Sequence, residues 1–212
     1  MFLVIERLPG VTLESVWARI PHPNRVALMG GIGRMMACVH RELVGSLADL
    51  PPQWAPFLEG QIAGCLARHT RLGSPEFLLR ELVDYVREGA PLIPTAFRPV
   101  ILTGEYTPFN LLVQEHNGWW EHSGMIDFGD AMIGPPEYDF LGPSTFLCAG
   151  NSELVRAWMQ TYGVGAQVSN EQRQRWMTLL LLHRYSYPKA QIRIPGWEAS
   201  GSIAELAEKI WP

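Results

Sequence analysis

Between Arg98 and Arg156 the chain carries no lysine or arginine, yet it holds eight acids: Glu105, Glu115, Glu121, Asp127, Asp130, Glu137, Asp139 and Glu153. Carboxylates gathered without basic partners suit a metal ion or a cationic ligand. Glu115, Glu121 and Glu153 read as solvated surface. Glu105, Asp127, Asp130 and Asp139, with the neutral Asn110 among them, sit beside glycine or proline or inside apolar runs, and they are the candidates for chemistry. His116 and His122 lie in a turn-rich stretch and read as solvated, and no pair of histidines has the His-Glu-x-x-His spacing of a zinc helix. Cys38, Cys65 and Cys148 are far apart and form no Cys-x-x-Cys, so reduced thiols in a cytoplasmic protein are expected.

The elements that must position these residues are mostly helical. An N-terminal apolar run, Phe2-Leu3-Val4-Ile5, reads as a strand that stops at Pro9-Gly10. It is too short, and too soon interrupted by Glu6-Arg7, for a signal peptide. Apolar spacing predicts helices over 12–20, 24–43, 55–71 and 75–87. Strands are expected over 99–102 and 109–114, then a turn at Asn117-Gly118 and a return strand over 124–128. Helices resume over 138–149, 152–162, 170–185 and 203–210. The expectation is a single α+β domain over 1–212, mostly helical with a small central β-hairpin. Its parts are a residual strand and hinge over 1–10, a helical region over 11–98, loops and hairpin over 99–139, and C-terminal helices over 140–212.

Composition narrows the function. Hydrophobic residues are 47% and charged residues 18%, which is globular rather than disordered. No apolar run approaches the roughly 18 residues of a membrane span. A net charge of −4 argues against a general nucleic-acid binder. Only Lys189 and Lys209 are lysines among the 17 basic residues. Met29-Gly30-Gly31-Ile32-Gly33 lies in a helical pattern and reads as close helix packing, not a phosphate loop. Trp17, Trp54, Trp158, Trp176 and Trp211, and Leu179 through Leu182, read as packing residues. Arg184-Tyr185-Ser186-Tyr187, with Trp176, is a candidate cleft wall.

Two segments carry a family resemblance. Thr103-Gly104-Glu105-Tyr106-Thr107-Pro108-Phe109-Asn110, followed by an apolar strand, resembles the His-Gly-Asp-x-x-x-x-Asn catalytic loop of aminoglycoside phosphotransferases and choline-kinase-like enzymes. Ile126-Asp127-Phe128-Gly129-Asp130, with Glu137-Tyr138-Asp139 after it, resembles their metal-binding segment. Glu6-Arg7-Leu8-Pro9-Gly10 is similar to the hinge between the two lobes of these kinases, and Met36 to His40 to the end of their first long helix. The resemblance runs from the hinge onward. It implies a protein-kinase-like C-terminal lobe, with the N-terminal nucleotide lobe absent.

It also implies roles. Glu105 stands where the family's residue accepts the substrate hydroxyl proton. Asn110 and Asp127 would hold Mg²⁺ against the phosphates of ATP or GTP. Asp130, Asp139 and Thr103 would brace the loops, and the backbone of Glu6, Arg7 and Leu8 would meet the base. The implied substrate is a small hydroxyl compound or amino alcohol, aminoglycoside-like. A separate N-terminal lobe or a second protomer is a further implied partner, and neither nucleic acid nor membrane is.

This chain departs from the pattern twice. The family's His is Thr103 and its Asp is Glu105, one methylene longer; a misplacement of about 1 Å can cost on the order of a hundredfold in rate. No lysine precedes Lys189 to pair with the nucleotide phosphates. The expectation is therefore a truncated or degenerate phosphotransferase, inactive alone. The alternatives are a pseudokinase-like binding module without catalysis and a metal hydrolase built on Asp127, Asp130 and Asp139.

Overall fold

A computed structural model describes residues 6–212; the strand expected over 2–5 lies outside the described residues. The chain enters through β1 (Val11–Thr12) and α1 (Leu13–Val16). It then runs through three longer helices: α2 (His22–Val39), α3 (Trp54–Arg71) and α4 (Glu76–Gly89). The predicted 24–43 helix is shifted: α2 begins two residues earlier and stops four residues sooner, at Val39, where His40 turns inward and takes up tertiary partners.

The middle of the chain is two small sheets. β2 (Val100–Leu102) pairs antiparallel with β5 (Met132–Gly134), and β3 (Leu111–His116) lies between β1 and β4 (Trp119–Met125). The turn is the expected one: Asn117 (φ 54°) and Gly118 (φ 80°) both take left-handed backbone, as a two-residue hairpin turn requires. The return strand departs from the predicted 124–128. A turn that short puts Trp119 directly opposite His116, so pairing starts at once. It ends at Met125 because Asp127 adopts φ 66° and cannot continue a ladder.

These ladders create the site. Leu102 faces Met132 in one sheet, and Leu111 faces Met125 in the other. The two intervening segments, 103–110 and 126–131, are therefore held side by side between the sheets. Ile126 N donates to Asn110 O at 3.0 Å and closes the gap at their tips.

The predicted 138–149 helix is instead a 3-10 turn (Pro136–Phe140) followed by a π-helical stretch (Pro143–Cys148). Pro143 breaks a regular α-helix there. Beyond it lie α5 (Ser152–Tyr162), α6 (Asn170–Leu182), α7 (Pro188–Gln191) and α8 (Ile203–Ile210). Side-chain caps start three of them. Asn151 accepts from the Glu153 and Leu154 amides, Ser169 forms a capping box with Gln172, and Ser202 accepts from the Glu205 amide.

One core runs through the lobe. Phe140 packs on Trp158 and Trp176, and Trp176 on Trp211, with ring centroids 5.1, 5.6 and 5.8 Å apart. Leu179 to Leu182 are buried beside them. Gly33 lets α2 approach α5 closely, since a Cβ there would overlap the Trp158 carbonyl. The glycine-rich stretch of α2 is thus a packing seam.

Candidate active site

Glu105, Asn110 and Asp127 line one cavity of about 270 Å³. Its other wall comes from 141–146 and from the segment after α6, including His183, Tyr185, Tyr187 and Gln191. The catalytic-loop candidate is knotted by its own backbone: Thr107 N donates to Glu105 O, and the Asn110 and Leu111 amides donate to Thr107 O. Within it Asn110 Nδ2 donates to Glu105 Oε2 at 3.0 Å. That bond fixes the amide so that Asn110 Oδ1 is the free end.

Electrostatics at Glu105 are set by burial first. Desolvation pushes its carboxyl above the ordinary value, and the nearby Asp127 and Asp130 carboxylates push the same way. The Asn110 hydrogen bond and the Arg184 guanidinium oppose this but do not outweigh it. Such a group is a better proton acceptor than an exposed glutamate.

Asp139 holds the loop from beneath. Its buried carboxylate accepts from Thr103 N at 3.1 Å and Gly104 N at 2.6 Å, and it meets His40 Nε2 at 3.0 Å. His40 Nδ1 in turn meets the Tyr162 hydroxyl at 3.0 Å. Thr103 contributes through its own hydroxyl, which accepts from Glu105 N at 3.3 Å. Asp130 turns the other way: Arg184 binds it at 3.1 Å and the Tyr185 hydroxyl donates to it. Asp127, Asp130 and Asp139 therefore serve three different directions. Among the described residues no group of three His, Cys, Asp or Glu side chains converges to hold a metal, which removes the basis of the hydrolase alternative.

Asn110 and Asp127 do offer a fit to Mg²⁺. Both are hard oxygen donors on the same cavity. Among the described residues no hydrogen bond or ion pair engages the Asp127 carboxylate or Asn110 Oδ1. One carboxylate and one amide oxygen, completed by phosphate oxygens and water, is the donor set Mg²⁺ prefers.

Other expected residues fall elsewhere. Glu6, Arg7 and Leu8 are exposed and do not line the cavity; Leu8 packs over Gly124, and Pro9 O accepts from Ser123 Oγ on β4. Of the proposed cleft wall, Tyr185 and Tyr187 line the cavity, whereas Trp176 is fully buried in the core. His122 is not solvated: its Nε2 meets the Leu28 carbonyl at 2.9 Å and its ring packs against Gly31 of α2. His40 and His183 were not singled out by the sequence. His183 is buried against Tyr138, and burial with the nearby Arg184 and Arg68 lowers its pKa to about 3, so it is neutral. His40 closes the segment that resembles the family's first long helix but takes no role from it, and the partners of both, Asp139 and Tyr138, are distant in sequence.

Two loops clamped between small antiparallel ladders on a helical body define a kinase-like C-terminal lobe. A family model described as "Phosphotransferase enzyme family" matches residues 1–179, and the chain belongs to that family. No curated protein matches the sequence. The GDP complex of aminoglycoside 2'-phosphotransferase-IIIa is a structural match at TM-score 0.62 and 18% identity, covering 96% of this chain and 68% of that one. The streptomycin-ATP-APH(2")-IIa ternary complex matches at TM-score 0.55 and 16% identity, over 98% and 70%. The spectinomycin phosphotransferase APH(9)-Ia, with ADP and spectinomycin, matches at 0.56 and 11%, over 96% and 68%. At these identities the likeness concerns the fold. Among the described residues no helix is long and apolar enough to cross a membrane, and the three cysteines are free.

Proposed function

We propose that this chain carries the catalytic half of a phosphotransferase that moves the γ-phosphoryl group of ATP or GTP to the hydroxyl of a small molecule. The observation that carries the reading is the convergence of Glu105, Asn110 and Asp127 on one cavity, with the Asn110 and Asp127 oxygens uncommitted. Asn110 Oδ1 and the Asp127 carboxylate would hold Mg²⁺, which would supply neutralisation of phosphate charge. Glu105 takes the proton of the substrate hydroxyl as that oxygen attacks. The Asn110 N–H keeps Glu105 Oε2 turned toward the reaction, and Asp139 holds the loop backbone that carries both. The base edge of the nucleotide meets Glu6 to Leu8. The lysine for the phosphates is supplied from outside these 212 residues, by a further lobe or a partner protomer; without it the chain is inactive. The matched structures hold streptomycin and spectinomycin, and for this chain the substrate is a small molecule that presents a hydroxyl to Glu105.

The test is calorimetric titration of Mg-nucleotide into the chain with a nucleotide lobe supplied. Binding that Asp127→Asn abolishes supports the reading, and no binding ends it. Glu105→Gln should then leave binding intact and lower transfer by about a hundredfold to ten-thousandfold, the range of general-base catalysis. A second reading, a binding module without catalysis, is favoured by Thr103 and Glu105 standing where the family has His and Asp. It predicts that Glu105→Ala changes no transfer.

A further inference from the structure

The cavity's walls are unlike a cation site. Beyond Glu105 and Asp127, which the phosphotransfer reading assigns to the reaction, no acidic side chain lines it. Two acids near it are answered by arginine, and a third, Asp139, by His40 and backbone amides. Arg184 binds Asp130 at 3.1 Å. Arg193 binds Glu14 through two nitrogens, at 2.8 and 3.0 Å. The Arg193 guanidinium also lies over the Phe109 and Phe146 rings, 5.8 and 5.4 Å from their centroids, so positive charge stands behind the apolar wall. Phe109 and Phe146 meet edge to face at 5.8 Å, and Tyr187 lines the cavity with them. Phe109 and Tyr187 are 47% and 40% exposed, far more than an isolated packing role needs. Polar groups are left free on this cavity, the buried Thr107 Oγ1 and the Gln191 amide among them. Gln191 Oε1 accepts from Tyr187 N, which turns its Nε2 outward, and among the described residues no hydrogen bond engages that nitrogen.

The geometry points to a substrate whose reacting hydroxyl is carried on an aromatic or alicyclic body of low positive charge, with an oxygen acceptor for Gln191 Nε2, and not to a polycationic aminoglycoside. This rests on the phosphotransfer reading for the word substrate and names the class that reading leaves open. Apart from Glu105 and Asp127, which that reading commits to the reaction, the cavity offers a polyamine no carboxylate, so most of its cations would be desolvated without a partner. A ring face would stack on Phe109 and Tyr187, with geometry and area both favourable.

The test is saturation-transfer NMR on the 212-residue chain, with phenethyl alcohol as the probe and gentamicin as the competitor. Phenethyl alcohol should bind through its ring protons, and Phe109→Ala with Tyr187→Ala should weaken it about tenfold, as loss of aromatic contacts predicts. Both side chains are half exposed, so the fold tolerates their removal; the conservative Tyr187→Phe should retain binding. Gentamicin at physiological salt should not displace the probe. Displacement by gentamicin, absence of probe binding, or binding indifferent to the double variant overturns the proposal. Mg-nucleotide titration with a supplied lobe separates the two claims. Nucleotide binding together with gentamicin displacement leaves phosphotransfer standing and ends this substrate class. Probe binding without nucleotide binding does the reverse.

Discussion

Glu105 is held partly desolvated between two other carboxylates, and its ionised form is therefore disfavoured in the folded chain. An acid whose folded pKa lies above its unfolded value costs no stability when both states are protonated, and costs progressively more as pH rises past the unfolded value. Glu105→Gln removes the charge and keeps an oxygen for the Asn110 N–H. Thermal melts should therefore show the variant more stable than wild type at neutral pH, with the gain vanishing below the ordinary value of 4.5. Equal melting temperatures at neutral pH would show that Glu105 is not strained by its neighbours. Asp130→Asn should act on the same group from a distance. It removes one raising charge and frees Arg184 to lower the pKa further, so the acidic limb of the rate profile moves to lower pH. His40 works through Asp139 and touches no reacting atom. His40→Ala leaves a buried carboxylate and the Tyr162 hydroxyl short of a partner, which costs about 1.5–3 kcal/mol in denaturant unfolding. The acids stood out by residue type and context, and the loop segment by its resemblance to a family motif; the structure brings Glu105, Asn110 and Asp127 to one cavity. His40 did not stand out, because its carboxylate partner is 99 residues away and only the fold brings them together.

Helices were the legible elements, and the reason is local. α5 and α8 begin where Asn151 and Ser202 cap them and match the predicted bounds, since periodicity and cap chemistry agree. β1 and β5 were missed because two or three residues carry no period; their partners, Val113 and Leu102 among them, decide their state. The return strand was placed late because Gly124 to Phe128 is more apolar than the Glu121-His122-Ser123 before it, whereas the turn geometry starts pairing at Trp119. Glycine in a helix likewise has no single meaning. Gly33 sits at the α2–α5 contact, and Gly33→Ala would push a methyl into the Trp158 carbonyl and Thr161 Oγ1, costing about 1–3 kcal/mol by overpacking. Gly60 and Gly64 on α3 face open space. Gly60→Ala and Gly64→Ala should each stabilise by about 0.5–1 kcal/mol, the helix penalty of glycine. Chemical denaturation of the three variants reads the contrast, and a stabilising Gly33→Ala would refute the close approach.

At the scale of the whole molecule, the apolar core is continuous from Leu13 to Trp211. Three acids outside the cavity are tied to the C-terminal third by arginine: Glu137 to Arg175 through two nitrogens at 2.7 Å each, Asp130 to Arg184, and Glu14 to Arg193. The loops that carry Glu105 and Asp127 and the C-terminal helices should therefore unfold together. Trp211 tests this because it is fully buried, accepts from Arg173 Nε through its carbonyl, and lines no part of the cavity. Trp211→Ala should cost about 3–5 kcal/mol, the usual loss for a buried large aromatic. That cost should appear as one shift of the whole transition, with far-ultraviolet dichroism and a cysteine-reactivity probe at buried Cys148 and Cys65 moving in step. If the helical signal splits into two transitions, α8 and its neighbours are a separate unit and the site's geometry does not depend on them. A single shifted transition instead means that a residue remote from Glu105 sets how much of the chain presents an assembled site at a given temperature.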